Sequence, residues 1–176
     1  MYFQLPLEQL VRHRERPSQI EFARQAAEVL DETDEVRFEP TERGLALFAA
    51  HEEALRPPLA VIRDRYGEAV EARPPRVRLL PGHPLQEPVM AVRVTVPREH
   101  APAALRELRD RGARILEECR RGRIFIVRAE APLRELLGIG KRMARLTDGT
   151  AAHSIRLSRY LPVESAPPDA ARARLS

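Results

Sequence analysis

Tryptophan is absent from this chain, cysteine and lysine occur once each, and aromatic residues make up only 5%. With so few rings, the 43% of residues that are hydrophobic must build a core mainly from Leu, Val, Ile and Ala. The lone Cys119 excludes an internal disulfide, cannot assemble a thiolate zinc site, and fits a reducing compartment. No apolar run approaches the roughly 18 residues of a membrane span. The opening "MYFQLPLEQLVRHRERP" has no basic start followed by an apolar stretch, so no secretory signal is expected. These absences predict a cytoplasmic protein.

What is present is arginine. Of 30 basic residues all but Lys141 are Arg, against 26 acidic ones. Their placement is uneven. Residues 1–86 hold 12 basic and 15 acidic groups, a net −3, whereas residues 87–163 hold 16 and 9, a net +7. Codon bias accounts for the abundance of arginine but not for this asymmetry, which predicts that the second half faces an anionic partner.

The clearest boundary is "LLPGHPLQEP", whose three prolines and glycine cannot continue a helix or a central strand. It divides the chain into a unit at 1–80, a linker at 81–88 and a unit at 89–163. The proline-bearing end, 164–176, reads as a disordered tail. In the second unit Met90, Val92, Val94 and Val96 alternate as a strand, and "EHAPAALRELRDRG" reads as a helix. "ARILEEC" and "RIFIVRA" form a hairpin around "RRG". "APLRELLGIGKRMARLTDG" reads as one continuous helix and "AHSIRLSRYLPV" as a last strand. The first unit repeats the order. "YFQLPL" is its opening strand, and a helix over 18–33 has a capping box of Ser18 with Glu21 and a face of Ile20, Ala23, Ala27 and Leu30. A hairpin around "TERG", a helix begun late by Pro57 and Pro58, and a closing strand in "AVEARPPRVRLL" complete it. The expected class is α+β: two tandem ferredoxin-like β-α-β-β-α-β units, each an antiparallel sheet with two helices on one face.

"GIGK" (138–141) raises the question of a phosphate loop. That motif needs a glycine at 135, where Glu135 stands, and Ser or Thr after the lysine, where Arg142 stands. Helical spacing from Leu133 to Leu146 leaves no free amides to cradle phosphate, and Gly138 and Gly140 read as close-packing points. None of His13, His51, His83, His100 and His153 has a metal-ligand spacing. "HEEA" (51–54) reads as a solvated helix start, and Cys119, beside Arg120 and Arg121, as an ordinary strand-end thiol. No catalytic constellation emerges, so no enzyme activity, cofactor, metal or nucleotide is expected. The candidate RNA- or partner-binding residues are Arg111, Arg114, Arg120, Arg121, Arg123, Lys141, Arg142 and Arg145, where guanidinium forks can meet phosphate oxygens. With Phe125 alone in its hairpin, base-stacking readout of single strands is not expected.

The stretch "EPVMAVRVTVP", then "LRDRGARI", "PLRELLGIGKRMARLTDG" and "RYLPV", resembles domain V, the C-terminal domain of translation elongation factor G. Glu87, Pro88 and Met90 match its E-P-[IV]-M. Gly112 and Ile115 match R-x-G-x-I, and Pro132, Leu133, Glu135 and Gly138 match P-L-x-E-[ML]-[FL]-G. Leu146, Thr147 and Gly149 match L-T-x-G, and Tyr160, Pro162 and Val163 match the closing Y-x-P-V. The family's arginine after L-T-x-G is Thr150 here. More faintly, the first unit resembles domain III, with Glu52 and Leu55 in place of its G-x-G-E-L-H-L but Ala49 and His51 where glycines belong. Nothing resembles the GTPase domain, domain II or domain IV. The resemblance implies a ferredoxin-like fold and a non-catalytic module that binds the ribosome near the factor-binding site, through large-subunit rRNA or stalk-base proteins, and modulates translation. The alternative is a ferredoxin-like protein-interaction module repurposed away from the ribosome, which takes a protein partner on a sheet edge.

Overall fold

A computed structural model describes residues 5–163. The first unit runs β1 (Leu7–His13), α1 (Gln19–Ala27), β2 (Val36–Thr41), β3 (Gly44–Ala49), a 3₁₀ turn (Glu52–Leu55) leading into α2 (Arg56–Tyr66), β4 (Val70–Ala72) and β5 (Arg76–Val77). Its antiparallel sheet has the order β2-β3-β1-β4, with β5 also paired to β1. The second unit runs β6 (Gln86–Pro97), α3 (Ala101–Asp110), β7 (Arg114–Arg121), β8 (Ile124–Pro132), α4 (Leu133–Leu136), α5 (Ile139–Leu146) and β9 (Ala152–Pro162), with the order β7-β8-β6-β9. In both, the fourth strand lies beside the first, as the ferredoxin-like reading requires.

Alternation explains the sheets. In β6, Met90, Val92, Val94 and Val96 are buried while Arg93 is exposed. Across β8, Phe125, Val127, Ala129 and Ala131 face the same way. These side chains meet Leu108 of α3 and Met143 of α5 in a buried cluster that continues into the first unit through Leu55, Phe22, Leu45 and Ile62. Both halves thus share one apolar interior. No helix among the described residues is long and apolar enough to cross a membrane.

Several local expectations need correction. The expected opening strand "YFQLPL" falls partly outside the described residues; the described strand is Leu7–His13, where Leu7, Gln9 and Val11 point inward between Glu8, Leu10 and Arg12. Its polar members disguise a half-buried strand. Ser18 sits at the N-cap of α1 but makes no side-chain capping bond. The Gln19 carboxamide does the stitching instead: its Oε1 accepts from the His13 amide at 3.0 Å and its Nε2 donates to the carbonyls of His13 and Arg16. The buried face of α1 is Gln19, Phe22, Ala23 and Ala26, rotated from the expected Ile20, Ala23, Ala27 and Leu30. Pro57 and Pro58 open α2, where missing amide protons cost nothing. β6 begins at Gln86, inside the span expected as linker, and Leu80 and Gln86 exchange two backbone hydrogen bonds across the turn. The expected tail at 164–176 lies outside the described residues.

Candidate nucleic-acid interface

The "GIGK" segment is not one helix. After α4 the chain turns extended at Leu137 and passes through Gly138 at φ 80°, a left-handed conformation suited to glycine, before α5 begins. The Gly138 amide, which a continuous helix would have bonded internally, donates to Glu52 Oε1 of the first unit at 2.6 Å. A carboxylate therefore sits at the start of α5, where the helix dipole favours negative charge. The anion at this glycine turn is the chain's own Glu52.

Around it the two units meet. A Cβ on Gly140 would stand 2.9 Å from Glu53 Oε1 and 2.9 Å from His153 Cε1, so glycine is what lets α5 lie this close. His153 Nε2 is 3.7 Å from Glu53 Oε1, and His51 Nε2 is 3.5 Å from Glu35 Oε1. Leu133, Leu136 and Ile139 line a cleft of about 290 Å³ between these pairs. "HEEA" is thus a half-buried junction rather than a solvated helix start: His51 caps the 3₁₀ turn by accepting from the Ala54 amide at 3.3 Å. Among the described residues no three His, Cys, Asp or Glu side chains are grouped to hold a metal ion.

The eight candidate cations divide into committed and free. Arg111 is committed: its Nε meets Glu107 Oε1 at 2.7 Å and its Nη1 donates to the carbonyls of Glu135 and Leu137, both at 2.9 Å. It braces α4 against α3, and its expected role as a surface ligand is withdrawn. Arg142 reaches the same Glu107 at 3.3 Å. Burial pushes the Glu107 carboxyl up, but hydrogen bonds from Arg111 and Arg142 outweigh it and hold the group below its ordinary range. Arg114 is tied to Glu130 at 2.7 Å. The free set is Arg120, Arg121 and Arg123 at the β7–β8 hairpin and Lys141 and Arg145 on α5, all exposed, with no ion pair to a described carboxylate. α3 packs between these sets, against β7 through Arg109–Glu118 at 3.6 Å and against α5 through Glu107–Arg142. They form two patches rather than one. Beside the hairpin, Arg98, Arg106, Arg109 and Arg120 rim a cleft of about 570 Å³ over Leu105 and Phe125. Cys119 is a free, half-buried thiol opposite Ile126.

Glu130 joins three strands. Its carboxylate accepts from Arg159 and Arg114, both at 2.7 Å, and from the Ser158 hydroxyl at 3.1 Å. The bonds from Arg159, then Arg114, hold its pKa down to about 2. A depressed carboxylate pKa contributes stability above the unfolded value, near 4.5, that is lost as pH falls toward 2. Solvent screening limits the contribution to about 1 kcal/mol. Glu130→Gln should therefore lower the urea midpoint at pH 7 and flatten its decline between pH 5 and pH 3.

The motif residues explain the fold before any function. Glu87, 5% exposed, receives Arg134 Nε at 2.8 Å, an ion pair from the start of β6 to α4. Fully buried Thr147 donates from Oγ1 to the Met143 carbonyl at 2.8 Å and accepts the Ala151 amide at 2.9 Å, which turns the chain from α5 toward β9.

Comparison with known proteins places this architecture. A family model described as elongation factor G C-terminus matches residues 84–171, half of the chain. Elongation factor G 2 of Hahella chejuensis is 35% identical over 98 residues, which is 56% of this chain and 13% of that protein. Mitochondrial ribosome-releasing factor 2 of Danio rerio is 38% identical over 84 residues, 48% of this chain and 11% of that one. The match thus takes in only about an eighth of these relatives. A crystal structure of a protein from Thermus thermophilus superposes with a TM-score of 0.63 at 17% identity, covering 94% of this chain and 41% of that one. That likeness shows the fold, and its extent takes in both units.

Proposed function

The chain belongs to the elongation factor G C-terminus family, and from that premise we propose a non-catalytic, cytoplasmic translation-factor-like module that binds the ribosome near the factor-binding site and modulates factor access. The two sheets with their helices act as domains at 1–80 and 89–163, and the second makes the contact with large-subunit rRNA or stalk-base proteins. The observation that carries this reading is the coincidence of the family match with the free cations Arg120, Arg121, Arg123, Lys141 and Arg145. The name of one relative, a ribosome-releasing factor, agrees with it.

Co-sedimentation of the full chain with ribosomal subunits tests the proposal. The chain should pellet with the large subunit at about 50 mM salt. If five cations each displace a counterion, affinity should fall by about two to three orders of magnitude by about 200 mM. Absence from the pellet at low salt overturns the proposal. The alternative, a protein-interaction module away from the ribosome, draws on β9, an 11-residue edge strand paired, among the described residues, with β6 alone. An extended segment of a partner could add to its free edge.

A further inference from the structure

The outer face of the second sheet, turned away from α3 and α5, adds Arg93, Arg128, Arg156 and Arg159 to the hairpin cations Arg114 and Arg121. On β6, Arg93 alternates with the buried Val92 and Val94 and stands opposite Arg128 on β8. Ser154 of β9 flanks Arg93 on the other side, and Glu117 of β7 lies beyond Arg128. Two residues along, Arg156 on β9 and Arg114 on β7 take the two edges, with Ala91 and Glu130 between them. Arg121 closes the hairpin end opposite Ile124, and Arg159 reaches in to Glu130. These six arginines share the face with two glutamates. Glu130 is saturated by Arg114 and Arg159, and Glu117 holds Arg128 at 3.5 Å. Arg93, Arg121 and Arg156 are exposed and have no described carboxylate within ion-pair reach.

Folding accounts for only part of this arrangement: Arg114 and Arg159 serve Glu130, and Glu117 offsets Arg128. Like charges directly opposite on neighbouring strands destabilise a sheet, and Arg93, opposite Arg128, has no described carboxylate of its own within ion-pair reach. Strand spacing of about 4.8 Å across, and about 6.7 Å between alternate residues along a strand, sets the guanidinium groups in a grid rather than a cluster. Such a grid can meet a succession of phosphates, each through a planar fork.

We propose that this sheet face binds the phosphate backbone of an RNA duplex. The choice of RNA rests on the ribosomal reading above, whereas the choice of polyphosphate rests on the face itself. Duplex is preferred to single strand because the positions around Arg93 and Arg128 carry backbone-binding guanidinium forks and no aromatic ring for bases to stack on. Phe125, the aromatic residue of β8, points inward and is 2% exposed. Shape and backbone contacts are what double-stranded RNA presents to proteins.

Fluorescence anisotropy with the full chain and a short labelled RNA duplex of mixed sequence, beside either strand alone, tests the face. Arg93→Gln with Arg156→Gln breaks no ion pair within the described chain. It should weaken duplex binding by about tenfold or more and lower the salt slope by about two. Glu117→Gln should strengthen binding. Unchanged duplex affinity in the double variant, a preference for the single strand, or full loss from Arg120→Gln with Arg123→Gln alone would each overturn the assignment. Duplex binding through this face without ribosome pelleting would remove the ribosomal reading and leave this one standing.

Discussion

Replacing Arg111 by alanine should lower the stability of the chain by about 2–4 kcal/mol, although simple inspection places this arginine on a basic helix end. Its side chain is 20% exposed and its guanidinium serves three acceptors. Two are carbonyls, of Glu135 and Leu137, which lie where α4 ends too early to bond them internally. The third is Glu107, 13% exposed, which would keep only the longer contact from Arg142. Truncation strands the two carbonyls and leaves Glu107 with the weaker of its two partners in a half-buried site, where the loss exceeds that of an exposed pair. Arg111→Lys should recover only part of it, because an ammonium cannot copy the fork. Urea unfolding at pH 7 provides the measurement, with Arg106→Ala, an exposed neighbour on α3, as control. Equal midpoints for Arg111→Ala and Arg106→Ala would show that the brace contributes nothing.

Gly140→Val should strain the junction between the two units by about 1–3 kcal/mol. A single added carbon already stands within 2.9 Å of Glu53 Oε1 and the His153 ring. Alanine already requires Glu53 to swing its carboxylate aside and the His153 ring to shift, a cost that better helix propensity offsets by up to about 1 kcal/mol. Valine's two further carbons cannot be accommodated by the glutamate alone. The ring or the helix must move, and moving α5 withdraws the Gly138 amide from Glu52, now 2.6 Å away. Amide exchange at Gly138 should therefore accelerate in Gly140→Val well before global unfolding. Glu52→Gln, which weakens the acceptor without adding bulk, should accelerate the same amide. Protection at Gly138 unchanged in both variants would mean that this contact does not hold the units together.

Much of the fold is legible in local periodicity. The valines of β6 and the hairpins at "TERG" and "RRG" announce themselves through alternation and turn chemistry, and the two-fold repeat of the β-α-β-β-α-β order follows from them. Composition without partners misleads. β1 is hard to see because Gln9, an inward-facing amide that donates to the Arg73 carbonyl at 2.7 Å, looks like a loop residue until its acceptor 64 positions away is known. The break at Gly138 is hidden because glycine within a helical spacing reads equally as a packing point or a turn. The acceptor for its amide, Glu52, comes from 86 positions earlier. The surface divides in the same way. Hairpin arginines read as exposed and are so, whereas Arg111 looks identical in sequence and is buried in bonds. Arg93, Arg128 and Arg156 do carry a signal, as the polar positions between core residues, but alternation marks the core face more strongly than the outer one.

By itself the sequence determined the identity of most elements, the pairing of two similar units, the concentration of positive charge in the second and its kinship with the factor's C-terminal domain. These are properties of near neighbours in the chain or of totals, and periodicity and counting reach them. Only the tertiary structure decided which arginines are free, that Glu52 occupies the glycine turn, and that α5 approaches close enough to exclude a side chain at Gly140. Each of those depends on groups brought together from opposite ends of the chain, and distance, not residue type, sets whether a charge is spent inside the protein or left for a partner.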